Sequence, residues 1–391
     1  MKKNPYYRLK YIAGIPYLLT FGQGNADFKH DMRLNETSAF LWEQLENVAD
    51  TKGLAALCAE RFPCSEEEYP MMEASVARFV NTLYRQGVIL PEEGNALGMN
   101  CYKSLKIAGL FLKLYGPEQA FAKELLDFET EEEISADAPV QEICVQTKLP
   151  AYTENGALIL RNQSLVVMEN EAKYVLLFPD LKQIREAHVA KNGTRVIIYC
   201  MSDIAEETAT EVSYAIRIAF LYFAQLKNMM AVHSASVLYR DKIWLFSAPS
   251  GTGKTTHTQL WREVYETPII NGDINLVAIE NDIAVVHGIP WCGTSGVYSK
   301  ESYPLGGIVL LSQGTENEIV TLSEEQKLLQ VLHRSISPGW KEELQEKNYR
   351  VVEALSEKIM ICHLSCTRDK EAAAYSKTAI DAFLENNLQF C

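Results

Sequence analysis

The sequence has no apolar run long enough to span a membrane. A spanning helix needs about 20 apolar residues, and the nearest stretch, 215–230, is broken by Arg217, Gln225, Lys227 and Asn228. The opening Met-Lys-Lys-Asn-Pro-Tyr-Tyr is followed by no apolar segment, so no secretory signal is expected. The nine cysteines show no paired spacing, and their number is odd. Both features point away from a disulfide framework and toward a reduced, cytoplasmic setting. Cys362 and Cys366 flank His363 most closely, but they lie in Ile-Met-Ile-Cys-His-Leu-Ser-Cys, which predicts a buried strand rather than a metal site. Basic residues are scarce: 37 Lys and Arg stand against 51 Asp and Glu, a net charge of −14. That balance excludes a general grip on nucleic-acid phosphates, because such a grip rests on Lys and Arg. What remains is ordinary globular material, 47% hydrophobic and 23% charged over 391 residues, enough for two or three domains.

One stretch organises the rest. Residues 243–256 read Ile-Trp-Leu-Phe-Ser-Ala-Pro-Ser-Gly-Thr-Gly-Lys-Thr-Thr. An apolar strand ending near Phe246 runs into a glycine turn and then a helix through Gln259, Leu260 and Trp261, which is the context a phosphate-binding loop requires. Gly251 and Gly253 free the backbone to aim N–H groups at an anion. The helix start adds a positive dipole end. Ser250, Gly251, Thr252, Gly253, Lys254, Thr255 and Thr256 are the expected nucleotide contacts, with Lys254 reaching the terminal phosphates and the Thr255 hydroxyl on Mg²⁺. Ala248 stands where the pattern has its first glycine; a negative φ there would make it harmless.

Before that loop, residues 7–12 and 17–21 read as two strands around a turn at Gly14. Leu34-Asn35-Glu36-Thr37 opens a first helix, with Asn35 as N-cap and Leu34 as staple. Thr51 caps a second helix over 52–62, and Ser65 a third over 66–86 whose first turn is acidic. Residues 88–90 read as a last strand. This winged-helix-like pattern, with its closing Leu83-Tyr-Arg-Gln-Gly-Val-Ile, resembles the PqqD family of peptide-recognition elements. The resemblance implies that a leader peptide adds as a strand beside residues 17–21 and packs on the third helix, using Tyr17, Leu19, Phe21, Val76, Phe79 and Leu83. Domain packing and DNA binding are the alternatives, and the scarcity of basic residues in this segment argues against DNA.

Residues 91–100 are turn-rich and read as a linker. The pattern then predicts a strand over 104–115, a helix over 117–126, a solvated acidic loop over 129–137, and short strands at 142–146, 157–161, 165–169, 174–177 and 195–199, together a mixed or antiparallel sheet. A long amphipathic helix covers 207–228. It delivers the chain to a strand carrying His233, which precedes the loop strand. After the loop helix come Asn271-Gly272-Asp273 and a hairpin rather than a parallel crossover.

That layout, over about residues 105–391 and most clearly 233–317, resembles the HPr kinase and ATP-dependent phosphoenolpyruvate carboxykinase group. His233 matches the histidine one hairpin before the loop. Asp273 matches the second member of the group's aspartate pair; Gly272 stands beside it instead of an acid. The runs His287-Gly-Ile-Pro-Trp-Cys-Gly-Thr and Tyr303-Pro-Leu-Gly-Gly-Ile-Val-Leu-Leu resemble a kinase-like branch associated with PqqD-type domains. The expected fold class is therefore mixed α+β: a PqqD-like domain at 1–92, a linker at 93–103 and a P-loop kinase domain at 104–391. The resemblance implies ATP and Mg²⁺ as cofactors, metal ligation by Thr255 and Asp273, and catalysis by Lys254, Asp273 and His233, with either Asp273 or His233 as base. His257 is expected at the nucleotide rim or a neighbouring subunit, His287 at the site or the surface, and Pro290 and Trp291 in a pocket wall. The leading expectation is a cytoplasmic kinase phosphorylating a Ser or Thr hydroxyl of a ribosomally made precursor peptide. A small-molecule kinase acting for example on serine, and a nucleotide-gated peptide chaperone without catalysis, are the alternatives. Neither nucleic acid nor membrane is an expected partner, and the likeness to hexameric HPr kinases allows a homo-oligomer.

Overall fold

Alternating patterning at the amino end produces a hairpin, Tyr7–Ile12 against Ile15–Thr20. It turns at Ala13-Gly14, both with positive φ, as a tight two-residue turn demands. A computed structural model describes residues 2–4, 6–21, 31–48, 51–85, 88–90, 102–147, 156–200, 206–249 and 251–388. The expected linker falls almost wholly on 91–101, outside the described residues. Met32–Arg33 pairs with the free side of Ile15–Thr20, so that strand is the central one of three. Helices Glu36–Gln44, Thr51–Arg61 and Tyr69–Arg85 follow, and Ile89–Leu90 pairs with Lys2–Lys3. Asn35 caps the first helix, its Oδ1 accepting the Ser38 N–H at 2.7 Å. The third helix begins three residues later than the sequence pattern predicts. Pro70, which has no N–H to give, fits only its first turn, and residues 66–68 form a turn held by Ser65 and Glu68. Trp42, Leu45, Leu54, Val76, Val80, Leu83 and Ile89 make a core of this segment's own.

Beyond the linker two eight-stranded sheets stand in a mixed α/β architecture. The first has the spatial order Lys103–Ile107, Leu110–Tyr115, Val140–Gln146, Arg195–Cys200, Ile184–Ala190, Lys173–Leu177, Val166–Glu169 and Ala157–Arg161. Val140–Gln146 runs parallel to both its neighbours and every other pairing is antiparallel, a mixed sheet as expected. The predicted strand over 104–115 is instead a hairpin, turning at Ala108 (φ 53°) and Gly109 (φ 73°). The predicted helix over 117–126 shortens to a 3₁₀ turn and the single turn Lys123–Leu126. Ile184–Ala190 escapes sequence reasoning because it carries Arg185, Glu186 and His188. Two of these are buried and satisfy each other, His188 Nε2 lying 2.9 Å from Glu186 Oε1. Helix Glu206–Leu226 seats Val212, Ala215, Ile216, Ala219, Phe220 and Phe223 in the core beneath this sheet.

The second sheet contains the loop strand, Lys242–Ser247. Met230–Tyr239 lies antiparallel on one side of it and Tyr303–Gln313 parallel on the other. Met360–Cys366 extends the parallel set, so three strands point their carboxyl ends the same way. Ligands in such sheets bind at that end. Cys362 is buried in Met360–Cys366, as its sequence predicts, and burial pushes its thiol up to about 12. The loop helix Lys254–Tyr265 and Glu371–Leu388 cover one face through Trp244, Phe246, Trp261 and Ile380. Glu324–Leu332 and Glu342–Ser356 cover the other. The two sheets are joined by polar contacts: Gln225 Nε2 donates to Pro338 O, Leu344 O and Asn348 Oδ1 at 2.8–2.9 Å, and Lys341 pairs with Glu169. Among the described residues no helix is long and apolar enough to cross a membrane.

Candidate active site

The glycine turn leaves the sheet after Ser247. Ala248 is fully buried and its φ is not positive, so alanine is tolerated where the pattern has glycine. Gly251 and Gly253 hold φ of +76° and +124°, where an added Cβ meets nothing within 4 Å; the backbone conformation requires glycine there. Lys254 starts the helix, and no side chain caps the N-cap residue Gly253. The first-turn N–H groups are thus presented to the loop's concave side, at the positive end of a twelve-residue helix. Lys254 is buried and its Nζ donates to Ala248 O at 3.3 Å, while Thr255 and Thr256 are exposed. Thr252 is tied down from the neighbouring parallel strand, its carbonyl accepting from Gln313 Nε2 at 3.4 Å. Ser250 lies outside the described residues.

Across from the lysine, Asp273 Oδ1 lies 3.2 Å from His233 Nε2, each side chain about one-third exposed at 32% and 28%. Hydrogen bonds lock the strands at this point: Ser234 N donates to Asp273 O at 3.0 Å, and the Ser247 hydroxyl Oγ to His233 O at 2.7 Å. Asn271 aims the aspartate. Its buried Oδ1 accepts the N–H groups of Asp273 and Ile274 at 3.0 and 3.1 Å, and its Nδ2 donates to Trp291 O at 3.2 Å. No acid can stand at Gly272, because a Cβ there would fall 2.2 Å from Ser295 Oγ. Gly293, at φ +61°, backs directly onto the Asp273 side chain. The bond from His233 is the main reason that Asp273 titrates below the usual carboxyl range; burial opposes it, and Lys254 and Arg217 add to it. Burial chiefly lowers the pKa of Lys254, with Asp273 opposing and Arg334 reinforcing.

Sequence reasoning missed two arginines, a histidine and a cavity. The cavity, about 340 Å³, opens beside Gly251 and Thr252 and is lined by Gln313, Gln330, Arg334 and His363 among others. Residues 334–336 run along the stretch of sheet edge that the loop strand vacates, with His233 N donating to Arg334 O and Ile336 N to Ala231 O, both at 2.9 Å. Arg334 Nε is buried and makes no hydrogen bond among the described residues. His363 Nε2 is 2.8 Å from Ser312 Oγ, and burial keeps its pKa below the ordinary histidine value. Arg217, on helix Glu206–Leu226, stacks over Tyr214 at 4.7 Å. Each arrives from a distant segment with no local motif, so only the topology reveals it.

Other expectations are corrected. His257 faces neither a nucleotide rim nor a surface: it is 2% exposed, packs on Phe246 at 4.6 Å, and its Nε2 sits 3.0 Å from Ser376 Oγ, which also accepts Trp261 Nε1 at 2.9 Å. Burial lowers its pKa to about 4. His287 is buried, with Nδ1 2.9 Å from Ser302 Oγ and Nε2 3.2 Å from a Glu280 oxygen. Trp291 packs on Phe220 and donates to Ser213 O at 3.1 Å; it is a wall of the core beside Asp273. In the amino-terminal segment, Val76 and Leu83 belong to that segment's own core and are not presented to a peptide; Phe79 is half-buried against the same core. Tyr17 and Leu19 lie on the central strand, with Phe21 exposed just past its end. The edges open to an added strand among the described residues are Tyr7–Ile12 and Met32–Arg33, not residues 17–21.

The arrangement can hold an anion on the loop, keep one carboxylate ionised beside it, and screen both with arginines. No curated protein matches the chain. Residues 29–89 match the family model of PqqD, the coenzyme PQQ synthesis protein D, a span that covers the three helices of the amino-terminal segment and reaches neither eight-stranded sheet.

Proposed function

We propose that the chain is an ATP-dependent kinase that phosphorylates a Ser or Thr hydroxyl of a ribosomally made precursor peptide. The observation that carries the reading is the pairing of His233 with Asp273 in front of the buried Lys254, at the mouth of an uncapped, glycine-hinged helix start. Phosphoryl transfer is largely positioning and charge stabilisation, and each of these groups has a part in it. The loop amides and Lys254 hold the phosphates. Asp273, kept ionised by His233, accepts the acceptor's proton as the hydroxyl oxygen bonds to the terminal phosphorus. The bond from that phosphorus to the bridging oxygen breaks, leaving ADP and a phosphoester. Arg334, whose Nε has no partner among the described residues, balances phosphate charge beside Lys254.

Among the described residues no group of three or more His, Cys, Asp and Glu is arranged to hold a metal. Mg²⁺ needs no such cage, because it is bound through one or two protein oxygens, substrate phosphates and water. The exposed Thr255 hydroxyl and the Asp273 carboxylate fit that requirement, and the ion, when bound, neutralises phosphate charge. The PqqD match over 29–89 supports a peptide as acceptor, with the leader adding as a strand at an open sheet edge.

The test is to incubate the full chain with γ-labelled ATP, Mg²⁺ and leader-bearing precursor peptides, then follow label and peptide mass. A phosphorylated peptide supports the reading. ATP binding that alters peptide affinity without any transfer would replace it with a nucleotide-gated chaperone.

A further inference from the structure

Arg217 is a cation held chiefly by one aromatic ring. It is half-buried, rests on the Tyr214 ring, and makes no hydrogen bond or ion pair among the described residues. A partly desolvated charge is normally paired, and this chain has acids in surplus, 51 against 37 basic residues. With no hydrogen-bond partner among the described residues, the guanidinium is open to one from outside the chain.

The helix register tells where that partner sits. Ser213, Arg217 and Phe220 share one face, at i, i+4 and i+7. Ser213 accepts from Trp291 Nε1 at 3.1 Å, and Phe220 packs on the Trp291 ring at 5.2 Å. Two residues further on, Gly293 lies against Asp273. Arg217 thus sits on the helix face that meets the segment running from Trp291 to the aspartate. Its charge helps to hold Asp273 ionised, and that of Arg334 acts on Lys254. Arg334 lines the cavity beside the phosphate loop, whereas the helix face of Arg217 meets Trp291, two residues before the glycine that backs onto Asp273.

We propose that the acceptor carries a carboxylate close to its reacting hydroxyl and that Arg217 binds that carboxylate. The guanidinium fork matches a carboxylate in two parallel hydrogen bonds, and stacking on Tyr214 fixes its plane beforehand. Two parts of a peptide supply this chemistry: a carboxyl terminus at the reacting residue, or an Asp or Glu side chain next to it. The inference rests on the transfer reading, because it names the acceptor of that same site.

The full chain is assayed with ATP and Mg²⁺ on three serine peptides of one length: serine at a free carboxyl terminus, the same peptide amidated, and the amidated peptide with an aspartate beside the serine. The wild type should favour one carboxylate peptide over the neutral one by at least about tenfold in kcat/KM. Arg217→Met should abolish that ratio, and Arg217→Lys should restore part of it. Which carboxylate is favoured identifies the source. Equal wild-type rates on all three peptides would overturn the proposal, as would an Arg217→Met loss shared equally by all three. If no peptide is phosphorylated, calorimetric binding of the same peptides decides. A carboxylate preference lost in Arg217→Met then upholds the arginine's role while the transfer reading falls, and no preference overturns the proposal.

Discussion

Gly293 offers the sharpest test of how Asp273 is positioned. An alanine Cβ at this position would lie 2.9 Å from the Asp273 Cβ and Cγ and 3.0 Å from Oδ2. Ordinary contact begins near 3.4 Å, so the carboxylate or its backing loop must move by roughly half an ångström. The φ of +61° adds left-handed strain of about 1 kcal/mol. A displacement of this size loosens the 3.2 Å contact with His233, and misplacement of a reacting group by about 1 Å can cost 10²-fold in rate. Gly293→Ala should therefore lower phosphate transfer by about 10- to 100-fold while calorimetric ATP affinity changes by less than about threefold, since the loop amides and Lys254 are untouched. Gly296→Ala is the built-in control. Gly296 lies in the same segment at φ +64°, with nothing within 4 Å of an added Cβ. It carries the same backbone strain without the clash, so its thermal stability should fall by a similar small amount while its transfer rate stays near wild type. Equal transfer by both variants would show that Gly293 does not set the carboxylate's position.

Three further outcomes follow from the same geometry. Lys254→Ala should remove nucleotide-dependent activity while the far-ultraviolet circular dichroism stays unchanged, because among the described residues the ammonium bonds a single loop carbonyl. His257 should shape acid stability. Folded, it takes its proton near pH 4; unfolded, near 6.5. Between these values the unfolded chain holds more protons, so stability falls as pH drops through that window, by roughly 3 kcal/mol at full effect; His257→Gln should flatten this part of the urea-unfolding pH profile, read by Trp261 fluorescence. In the amino-terminal segment, exposed edge changes should weaken leader binding and core changes should unfold the segment. Proline at Arg33, on the open edge strand, should reduce leader affinity at least about tenfold by fluorescence anisotropy, and Leu83→Ala should instead lower stability by about 2–5 kcal/mol.

Legibility followed locality. The loop, its two glycines and the tolerance of Ala248 were readable because strand, turn and helix are contiguous in the chain. The Asn35 cap and the strand pattern of the mixed sheet are local in the same sense. The pairing of His233 with Asp273 was half-legible: both residues were singled out, but not that one would hold the other's charge state. Arg334, Arg217 and Gly293 were hidden, because each reaches the site from a segment 37 to 80 positions from Lys254, and nothing in its own neighbourhood marks it. His257 was misplaced for the same reason, its partner Ser376 being 119 positions distant. Two errors were physical misjudgements. Ala108-Gly109 interrupts an apolar run with a positive-φ turn, and Ile184–Ala190 hides a strand behind polar residues that pair with each other once buried.

The central claim is that Asp273 serves transfer rather than nucleotide capture. The measurement is calorimetric ATP binding to Asp273→Asn beside its phosphate transfer, followed by mass spectrometry of the peptide. The loop and Lys254 supply the attraction for the phosphates, so the variant should bind ATP within about tenfold of wild type. Removing the proton acceptor should lower transfer by at least about 10². Transfer by Asp273→Asn at nearly the wild-type rate would contradict the account and move the role of base to His233.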